Sequence, residues 1–208
     1  MITEWGAVGF WETRKTAWGA PIEADSSEKA AHFRHGWETL IKPATGKLIG
    51  DYVFLWGQKQ ERTPTWFGMF LESGERSETV EVMHGIWAGK TPSNRATRVH
   101  GMQLHGSTRA DDITLSAGAL YEADFRVSDP DGDDLRYHWE LKPESDARQV
   151  GGDPEEAIPN IAGVIPDPGK PRVSLRTPER AGAYRLYAYA YDGRGSAAYA
   201  SIPFRVVR

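Results

Sequence analysis

The chain has 208 residues, a formal net charge of −4 and no cysteine. That is long for one β-sandwich and short for a closed (β/α)8 barrel, which takes about 250 residues, so two compact units are expected. Disulfides are excluded, no basic cluster favours nucleic acid, and no apolar run reaches the ~20 residues of a membrane span.

Ile2-Thr3-Glu4-Trp5-Gly6 is expected as a short strand ending at a glycine. Ser26 to Leu40 follows as a helix, capped by Ser26 or Ser27, with Glu28 at the positive end of its dipole and Pro43 as its stop. Ala30, Phe33, Trp37, Leu40 and Ile41 recur at helical spacing. Tyr52-Val53-Phe54-Leu55-Trp56 is a continuous apolar run, as expected of a buried parallel strand. Ser77 to Trp87 predicts a second helix with Gly89 just past its end. The order is strand, helix, strand, helix.

The polar stretch Pro92–Arg98 marks a boundary. Beyond it, short alternating segments predict strands at Ile113–Leu115, Tyr121–Val127, Leu135–Leu141, Val173–Leu175, Tyr184–Tyr191 and Ala197–Val206. Gly151–Lys170, with its prolines, is expected as a long surface insertion. Asp129-Pro130-Asp131-Gly132 fixes a tight turn. The alternation that follows places Trp139 in a core. The aspartates at 129, 131, 133 and 134 fit either a solvated turn that caps its own backbone or a calcium site. The turn, Trp139 and the run Ala181–Gly193 together resemble PKD-type and cadherin-like sandwich domains.

Thr3-Glu4-Trp5-Gly6, followed by Gly50-Asp51-Tyr52-Val53-Phe54-Leu55-Trp56-Gly57, resembles the last two βα units of family 2 glycoside hydrolases and their barrel relatives. The resemblance implies a mixed fold. Residues 1–92 would form a partial (β/α) barrel (seventh strand and helix, eighth strand and helix), and residues 99–208 an all-β immunoglobulin-like sandwich. It makes Glu4 the catalytic nucleophile and Trp56 the floor of a sugar subsite. Trp5, Gln58, Glu61 and Trp66 would join Trp56 in binding substrate. The family's acid/base lies in an Asn-Glu pair, and no such dipeptide occurs here. A retaining mechanism needs two carboxyl groups roughly 5 Å apart.

The expectation is therefore the carboxy-terminal piece of a retaining glycoside hydrolase, with carbohydrate as partner and inactive without its amino-terminal part. No metal or cofactor is expected, since the six histidines form no ligand spacing. The intact parent would be extracytoplasmic, its export signal lying upstream of Met1. The competing reading is a non-catalytic carbohydrate-binding or spacer module built on the sandwich.

Overall fold

A computed structural model describes residues 1–147 and 153–208. In chain order the elements are α1 (Ser26–Gly36), a π-turn (Trp37–Ile41), a 3-10 turn (Lys42–Ala44), α2 (Glu78–Ala88), β1 (Arg98–Leu104), β2 (Thr114–Ser116), β3 (Leu120–Ser128), β4 (Arg136–Pro143), β5 (Arg172–Arg176), β6 (Gly182–Tyr191) and β7 (Ala197–Val207).

The strands form two sheets, ordered β1-β3-β5 and β2-β7-β6-β4, with β2 parallel to β7. Between them lies one core. Trp139 of β4 packs on Phe125 of β3 with ring centroids 6.3 Å apart, and its indole N–H donates to the Lys170 carbonyl. Tyr184, near the start of β6, donates its hydroxyl to the Arg180 carbonyl, tying the strand to the turn that precedes it. The 153–170 segment is irregular but not loose. Ile161, Val164 and Ile165 pack against the core, and the Ile161 amide donates to the Leu141 carbonyl. Residues 151 and 152 of the expected insertion lie outside the described residues.

The partial (β/α) barrel expected of residues 1–92 is not formed. The two apolar runs lie side by side in the parallel sense, with Tyr52 N–H donating to Ile2 O and Phe54 N–H to Trp5 O. Their only ladder contact is the isolated bridge between Ile2 and Asp51. Leu55 then turns to φ +53° and the Gly57 amide closes onto the Leu55 carbonyl. A β-branched or bulky residue in that region ends extended pairing, so the Tyr52–Trp56 strand is replaced by a turn. Tyr52 and Trp56 are left 60% and 52% exposed.

The helices do form, but α1 ends at Gly36 and runs on as the π-turn Trp37–Ile41, short of the α-helix expected to Leu40, and its cap also differs. Asp25, rather than Ser26 or Ser27, caps α1: its carboxylate accepts from the Ser27 and Glu28 amides while Glu28 reaches back to the Asp25 amide, a capping box. Ser77 precedes α2 but sends its hydroxyl to the Met69 carbonyl instead. Gly89, at φ +66°, ends α2 in the left-handed conformation.

The two regions share a seam. On β6, Tyr184, Leu186, Ala188 and Ala190 face the sandwich core, so Arg185, Tyr187, Tyr189 and Tyr191 face outward. That outer face is covered by residues 1–92, with Leu71 packing among Tyr187, Tyr189, Ala197 and Tyr199. Arg185 is fully buried there, donating to Glu144, to Ser201 and to the Pro21 carbonyl. Beside it Lys29 of α1 pairs with Glu23 at 2.6 Å and lies 4.8 Å from the Tyr199 ring. The Thr65 and Ser201 hydroxyls complete the ring of donors around Glu23.

Candidate functional site

The residues singled out by the barrel resemblance do not converge on one cleft. Glu4 is exposed, and among the described residues no hydrogen bond or ion pair holds its carboxylate. Trp5 points the other way: it is 7% exposed, packs on Phe33 and Trp37, and donates its indole N–H to Asp51 Oδ1 at 2.9 Å. It is a core residue and not a sugar contact. Gly6 has φ +100°, and a Cβ there would sit 2.4 Å from the Phe33 ring. The Trp and Gly of the short motif therefore have packing reasons to be there, which leaves Glu4 as its one solvent-facing acid.

Gln58 and Glu61 serve their own loop. The Gln58 amide donates to the Pro64 carbonyl, and buried Glu61 pairs with Lys59 at 2.7 Å while its backbone bridges Thr63. Trp66 is 4% exposed and donates its N–H to the Val8 carbonyl. It lines a cavity of about 280 Å³ with Phe33, Phe67, Glu28, His32 and Arg109. The charges around this cavity are already matched, Arg109 by Asp25 and Glu28, and Lys29 by Glu23.

Trp56 is different. Its ring stands half-exposed, edge-on to Phe70 at 5.4 Å and tilted 45° to Trp87 at 5.2 Å. Trp87, at the end of α2, is 54% exposed. The pair forms an aromatic platform fixed from behind by Phe70. No single-sequence pattern joins positions 56 and 87. Trp56 was singled out by the resemblance, whereas nothing in the sequence pointed to Trp87 as its partner.

In the sandwich, Asp129, Asp133 and Asp192 each bring a carboxylate oxygen within 4.8 Å of the others. The turn's own backbone uses part of this set: Asp129 Oδ1 accepts from the Asp131 and Asp133 amides, and Asp192 Oδ1 from the Arg194 and Ser196 amides. Asn94 donates to Asp192 Oδ2, and Arg194 pairs with Asp133 at 3.0 Å. Burial raises the pKa of Asp192, but the Asn94 amide and the two backbone amides outweigh it and hold the group below its ordinary value. These three carboxylates are a donor set of the kind a hard cation accepts, and the same contacts also serve the capped turn.

Among the described residues no helix is long and apolar enough to cross a membrane. No protein-family model and no curated protein matches the chain. Among solved structures, the soluble domain of PmoD from Methylocystis sp. ATCC 49242 (Rockwell) aligns with 57% of this chain and 95% of its own, at 14% identity and a TM-score of 0.30. A superposition that loose supports no conclusion about fold or activity.

Proposed function

We propose that this chain is the carbohydrate-binding, carboxy-terminal part of a retaining glycoside hydrolase, and that it hydrolyses nothing by itself. One observation carries the reading: the Trp56–Trp87 pair, backed by Phe70, leaves two large aromatic rings half-exposed to solvent. Large amphipathic rings held in place give contact area at low entropic cost, which suits the flat faces of sugar rings. The resemblance of the Glu4 and Trp56 segments to family 2 glycoside hydrolases adds to it. Catalysis by the chain alone is not part of the proposal. Glu4 is a solvated carboxylate without a positioned general acid, and retention needs both. An extracytoplasmic parent fits a polymeric substrate.

The alternative, a binding or spacer module on the sandwich alone, has less free surface to work with. The outer face of its four-stranded sheet already packs on residues 1–92. Native affinity electrophoresis through soluble polysaccharides tests the main reading. The wild-type chain should be retarded by at least one polymer, and Trp56→Ala with Trp87→Ala should weaken that retardation about tenfold. Absence of retardation by every polymer would end it. Aryl glycosides should be untouched; turnover that disappears in Glu4→Gln would overturn the non-hydrolytic part.

A further inference from the structure

The cavity of about 280 Å³ that Trp66 lines is distinct from the aromatic platform, since neither Trp56 nor Trp87 reaches it. Phe33, Trp66, Phe67 and Met69 give it a mostly apolar wall. It opens to solvent, because Val8, which is 38% exposed, and the exposed His32 also line it. Small-molecule pockets run from about 300 to 1,000 Å³, so this one has room for a single six-membered ring.

Thr79 brings the start of α2 to the same wall. It is 2% exposed, and among the described residues its hydroxyl has no hydrogen-bond partner. The helix start is also uncapped. Ser77 stands at the cap position but spends its hydroxyl on the Met69 carbonyl. The first amides of a helix have no partner within it, and that of Thr79 meets no acceptor among the described residues. A buried hydroxyl and amide left unpaired are costly, so this wall calls for an oxygen that accepts from both.

The charges nearby say which ligands are unsuited. Arg109 is spent on Asp25 and Glu28. The Lys29 ammonium is spent on Glu23, the Thr65 carbonyl and the Tyr199 hydroxyl. Those two cations are outnumbered by the three carboxylates, which disfavours an anion. A wholly apolar ligand would leave Thr79 unpaired. A neutral ring bearing hydroxyls suits both the apolar wall and the unpaired donors, because each hydroxyl donates and accepts.

We infer that this cavity is a pocket for one neutral monosaccharide unit, with the Thr79 hydroxyl and amide donating to a sugar oxygen. The inference rests on the carbohydrate reading above and deepens it. The Trp56–Trp87 platform takes the run of a chain, and the pocket takes a terminal unit, since space for one ring admits a chain end only. Ordered water would satisfy the same atoms, and the experiment separates the two.

Methyl glycosides of glucose, mannose, galactose and xylose are titrated into the full chain and followed by amide and indole NMR signals. The variants are Thr79→Val, which removes the hydroxyl, Ala24→Leu, which adds bulk to the cavity wall, and Trp56→Ala/Trp87→Ala. Thermal melts confirm that each is folded; if Ala24→Leu does not fold, Thr79→Val carries the test alone. At least one glycoside should shift the Thr79 amide and Trp66 indole signals. Thr79→Val should weaken that binding about fivefold, the loss of one neutral hydrogen bond. Ala24→Leu should abolish it, and the platform variant should leave it unchanged. The pocket is overturned if none of the four binds, if Thr79→Val or a folded Ala24→Leu changes nothing, or if the platform variant abolishes binding. Retardation by a polysaccharide without monosaccharide binding overturns the pocket and leaves the carbohydrate reading standing. If neither is seen, both fall.

Discussion

Eight of the ten large apolar side chains left exposed among the described residues, Tyr52, Trp56 and Trp87 among them, belong to residues 1–92; Leu120 and Val207 alone come from the sandwich. The contrast follows from how each region satisfies its backbone. In the sandwich, ladders pair the peptide groups, so every second side chain turns to a face that something covers. In residues 1–92, outside α1 and α2, four isolated bridges and a set of turns do that work. Irregular backbone gives no continuous face to bury, and apolar side chains are left to individual contacts or to solvent. The two regions teach that apolar composition buries itself only where backbone geometry offers a repeating face.

The sharpest way to break this comparison is at the seam, because it supposes that the less regular region depends on the sheet beneath it. Arg185→Met removes the cation between Glu144 and Glu23 and leaves two buried carboxylates facing each other's field. Removing one member of a buried ion pair costs about 3–5 kcal/mol. Urea denaturation should show that loss. Hydrogen exchange should show protection falling in residues 20–30 as well as in β6 and β7. Loss confined to the strands would mean that the first region is held independently of the sheet.

A second handle on the seam is pH. Burial pushes the pKa of Glu23 up, but the Lys29 and Arg185 charges, helped by hydrogen bonds from Lys29 and Thr65, pull it further down, so it lies below the ordinary value. Tyr199 faces the same group, its hydroxyl pushed up by burial and neutral throughout the acid range. A carboxylate with a depressed folded pKa adds stability above its unfolded value of about 4.3. That stability is lost as pH falls through the lower folded value. The midpoint of thermal unfolding should therefore fall between pH 5 and pH 2, and Glu23→Gln should flatten that fall while lowering stability at pH 7. An unchanged slope would remove Glu23 from the acid-sensitive groups.

These contrasts also explain what could be read in the chain beforehand. The alternation of Tyr184–Tyr191 located β6 to within two residues, because period-two burial writes itself directly into sequence. Gly89 as the end of α2 was legible for the same kind of reason, since a left-handed C-terminus selects glycine. β1 was not, because its seven residues, Arg98–Leu104, include a bulge at Val99–Gly101 that breaks the alternation. The Tyr52–Trp56 run misled because an apolar pentapeptide looks the same whether it pairs or turns, and nothing local announces φ +53° at Leu55. Of the residues expected to bind substrate, Trp56 lies at a surface platform. Trp5 and Trp66 lie in packing roles that composition cannot distinguish from exposure.

Gly6→Ala gives a smaller effect that still tests the first region. The position needs φ +100°, and a methyl would collide with the buried Phe33 ring. Strain at such a position and overpacking against an ordered core each cost roughly 1–3 kcal/mol. The loss should appear as a lower urea midpoint with an unchanged slope. A neutral result would show that α1 can slide away from the Thr3–Gly6 segment, and the core of residues 1–92 would then be looser than its buried Met83 and Ala30 imply.

The smallest expected effect is at the platform. Trp139→Ala empties the sandwich core and should cost about 3–5 kcal/mol, as large aromatic deletions do. Trp56→Ala removes a ring that is already half in water and touches only Phe70 and Trp87 among the aromatics. A change within about 1 kcal/mol is expected, close to that of ordinary surface substitutions. If Trp56→Ala proves as costly as Trp139→Ala, the ring is a structural support of the first region and not a surface kept open for a ligand. If stability is untouched while polysaccharide retardation weakens, the exposed tryptophans of residues 1–92 are there for what binds them, and the difference between the two regions becomes a division between a covered scaffold and a contact surface.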